Sequence, residues 1–302
     1  DGLKAARLSI TAHGIYEAEL NGRPVTDNKF VPGLTSYYHR IQVQRYDVTA
    51  LLQEGENLWQ TTVGDGWWRW NNNFGPRLAL WGRLELEYTD GTEIIPTDEC
   101  FLVGTGPVIR SDLQKGEVYD ARVEPGGWKT AAIETVHTDA QPIPTQGVPV
   151  REKEWFTGTL FRDSAGNTVI DFGQNIAGYV NMRLFNTQPG QVVHLKHGEA
   201  LDKEGKFSTA NCDGGKMEFQ EVTYICKGDP VEEYTPHFAA FGFRYVLLEG
   251  IEDGEFTAIA VYSDTEQTGD FQCSNPLINR LVENARSVSY THLRAHETVL
   301  DL

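Results

Sequence analysis

Apolar and polar residues alternate along most of this chain, and that period of two restricts its fold more than any other feature. Tyr16, Ala18 and Leu20 interleave with Glu17 and Glu19, and Asn21-Gly22 follows, the dipeptide that closes a tight hairpin. Leu84, Leu86 and Tyr88 alternate with Glu85 and Glu87 up to Asp90-Gly91, and Phe243, Tyr245 and Leu247 repeat the pattern around Arg244. Successive side chains of a strand point to opposite faces, so each segment buries one face and wets the other. No helical pattern before residue 275 is longer than residues 48–52. The expectation is an all-β chain of two consecutive antiparallel β-sandwich domains followed by one short helix. A length of 302 residues suits it, since domains hold roughly 150 residues each. Residues 138–150, TDAQPIPTQGVPV, concentrate proline and read as the linker, giving domains over residues 1–139 and 140–265.

Residues 268–286, TGDFQCSNPLINRLVENAR, break the alternation. Leu277, Ile278, Leu281, Val282 and Ala285 form a stripe at helical spacing behind Ser274, Asn275 and Pro276, which cap and pre-set a first turn. Residues 266–288 are therefore expected to open a helical domain that the chain does not continue. The last residues, 289–302, resemble a read-through tail. His292 and His296 stand one helical turn apart there, but the tail breaks the stripe and is not read as a metal site.

Charge excludes several partners. Lys plus Arg number 26 against 43 Asp plus Glu, a net charge of -17, which repels nucleic-acid phosphates and anionic lipid alike. No apolar run reaches the ~20 residues of a membrane span. No signal peptide stands before Asp1, but the true N-terminus is expected to be missing, so this absence is uninformative and the location stays open, with the cytoplasm favoured only weakly. Cys100, Cys212, Cys226 and Cys273 lie apart, as free thiols do, rather than in the spacing of a disulfide framework or zinc module.

Residues 64–73, GDGWWRWNNN, gather Trp67, Trp68 and Trp70 with Asp65, Asn71, Asn72 and Asn73. Indole faces stack on pyranose rings while amides and carboxylates bind hydroxyls, so a sugar-binding loop is one reading and a core tryptophan cluster the other. If the segment begins as a strand, at least one of Trp67 and Trp68 points inward. Asp27-Asn28 offers two adjacent oxygen donors of the kind calcium takes, too few to make a site alone; solvated turn residues are the plainer reading. His194 and His197 in HLKH fall on opposite faces of a strand and cannot share an ion. Gly104-Thr105-Gly106 has no helix behind it to receive a phosphate. The sequence DFGQNIAG at residues 171–178 sets glycines and amides between strand segments, the makings of a fixed turn or bulge. No GxSxG, Walker, HExxH or CxxC pattern is present.

Five ordered blocks resemble the bacterial α-L-rhamnosidases: LNGRPVTDNKFVPGLTSYYHRIQVQRYDVTALLQEGEN with VGDGWW, VIDFGQNIAGYV, HGEALDKEGKF, PHFAAFGFRYVLLEG and TGDFQCSNPLINRLVENA. The resemblance implies an inverting glycoside hydrolase that releases terminal α-L-rhamnose. It implies a jelly-roll-like first domain concerned with sugar recognition, then a concanavalin-like sandwich leading into an (α/α)6 barrel. Such an enzyme needs an acid and a base carboxyl about 6.5–9.5 Å apart. In the family both sit in the barrel, and this chain holds no block that matches theirs, so no catalytic residue carries over. The chain is thus expected to be an inactive fragment whose partners are rhamnosyl glycosides or oligosaccharides and its own missing barrel. A related module binds rhamnose with calcium, which puts forward Asp27, Asn28, Asp65, Trp67, Trp68, Trp70 and Asn71 as carbohydrate-binding residues and calcium as the cofactor to test. The rival reading is a non-catalytic module binding rhamnose-containing glycans.

Overall fold

The computed structural model describes residues 2–69, 74–113, 115–134, 139–210 and 220–291, with side chains as far as residue 287. In chain order the strands are β1 (Leu3–His13), β2 (Ile15–Leu20), β3 (Arg23–Pro24), β4 (Arg40–Asp47), β5 (Trp59–Gly64), β6 (Ala79–Tyr88), β7 (Thr92–Pro96), β8 (Leu102–Thr105), β9 (Val108–Asp112), β10 (Gly116–Asp120) and β11 (Gly126–Thr130). They continue as β12 (Gln141–Pro144), β13 (Val150–Thr157), β14 (Thr159–Arg162), β15 (Thr168–Phe185), β16 (Val192–Gly198), β17 (Ala200–Leu201), β18 (Phe207–Ser208), β19 (Glu221–Ile225), β20 (Val231–Tyr234), β21 (Phe241–Glu249) and β22 (Glu255–Ser263). The helix α1 spans Pro276–Thr291. Among the described residues the elements are strands apart from this helix and a 3₁₀ turn at Thr49–Leu51, where the sequence showed its one short helical pattern.

Two compact units form: Asp1–Gly106 with Pro125–Gly147, and Pro107–Glu124 with Val148–Leu302. The first unit opposes a sheet in the order β12-β4-β1-β6-β7 to a sheet in the order β3-β2-β5. Leu8 and Ile10 of β1, Leu84 and Leu86 of β6, and Tyr16, Ala18 and Leu20 of β2 meet in its core, each taken from the alternation that marks the sequence. Each fully buried aliphatic side chain of this kind contributes about 2 kcal/mol. Asn21 and Gly22 both adopt positive φ, +55° and +70°, and carry β2 into β3.

The second unit is built on a ten-stranded sheet that closes its core by curling, in the order β13-β22-β15-β21-β16-β19-β10-β9 with β14 and β20 also paired to β15, and carries the short pair β17-β18 besides. Ile170, Val180, Met182, Leu195, Phe241, Phe243 and Ala258 line the core. The ladder in DFGQNIAG slips between Asp171 and Ile176 against β21, with Gly173 at φ +77°. The sequence anticipates this bulge. His194 and His197 face apart as expected: His194 meets Glu221 and Glu249 at the surface, whereas His197 is fully buried against Phe241 and Phe243.

The chain passes between the units at Gly147 and Val148, inside the stretch read as the linker but later than the boundary at residue 139. β12 lies within the proline-rich stretch and pairs in parallel with β4, so the first unit reaches Gly147 rather than stopping at residue 139. Pro142 and Pro144 fit because β12 is a sheet edge, where a missing N–H costs no ladder bond. Residues 107–124 leave the first unit, and β10 pairs in parallel with β19. The anchor is Glu117, wholly buried, whose carboxylate accepts from the Tyr234 hydroxyl and from the backbone N–H of His237 (2.9 Å) and Phe238 (2.8 Å). Cys100, Cys226 and Cys273 are free thiols; Cys212 and residues 292–302 of the tail lie outside the described residues.

Burial pushes the His197 pKa down from 6.5 to about 4, against the pull of its Nδ1 contact with the Gln220 carbonyl. Between those values the unfolded chain binds a proton and the folded chain does not, so stability rises with pH by about 1.4 kcal/mol per unit and is lost as the pH drops from 6.5 toward 4. In urea titrations, the loss of stability between pH 7 and pH 4.5 is expected to be greater by roughly 2–3 kcal/mol in the chain than in His197→Gln. Equal pH dependence in the two proteins would refute a neutral buried His197.

Candidate functional site

The tryptophan loop begins where β5 ends. Gly66 takes φ +52° directly over Ile15, and a Cβ there would stand 2.7 Å from the Ile15 Cγ2 and 3.0 Å from its backbone N, so only glycine makes this turn. Arg69 closes the turn by donating its backbone N–H to the Asp65 carbonyl (3.3 Å) and its Nη1 to Asp65 Oδ1 (3.0 Å). Asp65 is therefore ion-paired at the base of the loop.

Both indoles are half-buried, and Trp68 is the one packed against the first unit. Its ring stacks on His13 at 3.7 Å with the planes 5° apart, meets Tyr37 edge-on at 5.4 Å, and donates Nε1–H to the Arg77 carbonyl at 2.9 Å. Burial holds the His13 pKa below the usual histidine value although Glu134 pulls it up, so a neutral imidazole lies on the indole at pH 7. Trp67 is half-buried and has no ring partner among the described residues. Trp70 and Asn71, with Asn72 and Asn73, lie outside the described residues.

Asp27 and Asn28 sit on the loop between β3 and β4. The Asn28 N–H donates to Thr26 Oγ1 (3.1 Å), and the Tyr46 hydroxyl bonds to the Thr26 and Asn28 side chains. Tyr46 also lies 3.2 Å from the Tyr16 hydroxyl, which donates to Gln44 Oε1 at 3.0 Å. Gln44 in turn donates Nε2–H to Thr145 Oγ1 at 2.9 Å. Burial raises the pKa of both phenols, and for Tyr46 the charge of Asp27 adds to the rise. Asn28 thus anchors a buried polar chain, while Asp27 is exposed beside it. Tyr37, which packs on Trp68, belongs to the same loop and ties it down by donating its hydroxyl to the Gly33 carbonyl at 2.9 Å. The structure therefore joins Asp27, Asn28 and Trp68 through one loop.

Calcium takes six to eight oxygen ligands. Of the two side chains proposed, Asn28 already serves Tyr46, and among the described residues no group of three or more His, Cys, Asp or Glu could hold a metal. These donors do not by themselves fit calcium, and no step is assigned to it. His13, Tyr37 and Tyr46 do not stand out in the sequence. Their roles arise from long-range packing, and the one available signal was an inward residue required of the Trp67-Trp68 pair.

Among known proteins, residues 1–167 match the family model of the alpha-L-rhamnosidase N-terminal domain, and residues 161–263 that of the bacterial alpha-L-rhamnosidase concanavalin-like domain. The chain is 35% identical to an alpha-L-rhamnosidase of Streptomyces avermitilis over 92% of its own length and 29% of that protein's. It superposes with a TM-score of 0.88 and 32% identity on the crystal structure of the Streptomyces avermitilis enzyme complexed with L-rhamnose, covering 96% of this chain and 30% of that one. For the native rhamnosidase of Aspergillus terreus the values are 0.83 and 33%, over 95% of this chain and 36% of that one. The chain thus spans about a third of the length of the relatives it matches.

The ring contacts of Trp68, where Trp67 has none among the described residues, separate the two indoles experimentally. Trp68→Ala is expected to destabilise the chain by about 2–3 kcal/mol, and Trp67→Ala by less than about 1 kcal/mol, measured by urea denaturation followed by circular dichroism. Comparable losses in the two variants would contradict the packing of Trp68 against the first unit.

Proposed function

The chain belongs to the bacterial α-L-rhamnosidases, and from that membership we propose that the whole protein hydrolyses terminal α-L-rhamnosides with inversion, while this chain recognises sugar without cleaving it. The observation that carries the reading is the pair of family matches, which together run from residue 1 to residue 263. A general acid must hold its proton near neutral pH, which requires a raised pKa at an accessible carboxyl. Among the described carboxyls with a resolved shift, only Glu117 is raised, by burial, and it is sealed beneath Tyr234, His237 and Phe238. The acid and base are assigned to the two thirds of the relatives' length that this chain does not span.

In this reading, the loops carrying Asp27, Asn28, Asp65, Trp67, Trp68, Trp70 and Asn71 form the carbohydrate-binding site. Trp67 supplies the stacking face, Trp68 the support, and Asp27 the hydroxyl acceptor. The helix α1 packs against the catalytic barrel of the whole protein. Its Leu277 and Leu281, at 78% and 65% exposure, leave an apolar row open, with Asn275 Oδ1 capping the helix at the Leu277 N–H (3.0 Å). A binding module for rhamnose-containing glycans, without any catalytic partner, is the alternative.

Two measurements test the proposal. The purified chain is expected to release no chromophore from an aryl α-L-rhamnoside, and reproducible release would overturn the division of labour. Calorimetry with L-rhamnose is expected to show heat that Trp67→Ala and Asp27→Ala each reduce at least tenfold in affinity, and a repeat with chelator reports whether calcium takes part. Absence of heat, or heat unaffected by either substitution, would remove the sugar site from this loop.

A further inference from the structure

The bulge of β15 opens a notch in the second unit that none of the foregoing uses. At Thr157, β13 still pairs with β22, through Thr257; at Thr159, β14 already pairs with β15, through Asp171. The chain changes sheet neighbours at Gly158, where a Cβ would come within 2.4 Å of Ile170 Cγ2 and 2.8 Å of the Phe172 ring. β15 bulges at the same level, so the strands part and leave a cavity of about 430 Å³ lined by Thr157, Thr159, Phe161, Asp171, Phe172 and Gly173. That volume accommodates a small ring ligand.

Asp171, the charged group that lines the notch, is fixed in place by Arg244, which stands beside it outside the lining. Asp171 accepts from Arg244 Nε (2.8 Å) and Nη2 (2.9 Å) in a fork and from the Gly173 N–H (2.7 Å), while Arg244 lies over the Tyr245 ring at 4.9 Å. The Asp171 and Arg244 side chains remain 27% and 37% exposed. The pair is neutral overall, yet Asp171 Oδ2 keeps a lone pair for a hydroxyl and Arg244 Nη1 keeps its N–H groups, having no partner among the described residues. Thr157 and Thr159 are both exposed beside it, and Phe161, half-buried, supplies an apolar wall. A carboxylate and a guanidinium held side by side are complementary to two adjacent hydroxyls, one donating and one accepting. The phenylalanine is complementary to the C–H face or methyl group of the same ring.

We propose that this notch is a second carbohydrate subsite, taking a neutral pyranose through a vicinal diol on Asp171 and Arg244 and through an apolar edge on Phe161. The proposal rests on the reading of the chain as glycan-recognising, and adds a contact in the second unit for a sugar of the same glycan class. An anionic sugar is disfavoured, since Asp171 faces the ligand and the chain carries a net charge of -17.

The test is an amide chemical-shift titration of the whole chain with methyl α-L-rhamnoside and with a rhamnose disaccharide. Saturable shifts are expected at Thr159 and Gly173. They are expected to persist in Trp67→Ala and to weaken at least tenfold in Phe161→Ala and in Arg244→Lys, which keeps the charge and loses the fork. Thr159→Val serves as a milder variant if either fails to fold. No shift at Gly173 while Trp67 responds would overturn the notch and leave the first site standing; shifts at Gly173 alone would do the reverse. Gly173 shifts that are unchanged in every folded notch variant would also overturn it.

Discussion

A strand of 18 residues, the length of β15, is about three times the common length, and its right-handed twist carries its two ends toward different neighbours. β15 accommodates this by changing partners. Its first residues lie between β14 and β21, and its later ones pair with β22 and β20. The exchange occurs across the bulge, where the Asp171–Arg244 fork and the Gly173 N–H hold the slipped backbone. Because β13 and β22 join the sheet on one side of β15, and β21, β16, β19 and β10 on the other, the second unit has no continuous sheet without that exchange. The notch is its by-product: strands that change neighbours at one level must separate there.

Burial of Glu117 imposes a comparable constraint on chain order. A carboxylate taken out of water is tolerated only when its lone pairs are filled, and the groups that fill them come from residues 234–238, far along the chain. Residues 107–124 are thereby committed to the second unit although residues on both sides of them belong to the first. Glu232 does a similar service nearby, accepting from the Thr187 and Tyr224 hydroxyls and from the N–H groups of Lys227 and Gly228.

The sequence makes legible what depends on local pattern. Leu84 and Leu86 face the core and Glu85 meets Arg45 at the surface because a period of two permits nothing else. Asn21-Gly22 and the cap at Asn275 are likewise read from residues that few other conformations favour. What escapes is non-local. Nothing near His13 announces that it will lie on Trp68, nothing near Glu117 announces Tyr234, and the prolines at 142 and 144 read as a linker because an edge strand tolerates what a linker also uses. Within the tryptophan loop, alternation required one inward indole but could not say which; His13, Tyr37 and the turn at Gly66 decide it.

Recognition and proton transfer ask opposite things of a carboxyl group. Asp171 is held ionised, its pKa lowered chiefly by the Arg244 hydrogen bonds, which makes it a steady acceptor for a hydroxyl and a poor source of protons. Glu117 is pushed the other way by burial, but the donors that satisfy it also close every approach to it. An acid catalyst needs both the raised pKa and an open path to the glycosidic oxygen. Among the described carboxyls with a resolved shift, the one that is raised is sealed inside the core and the others are held low by the donors around them, so none combines the two properties.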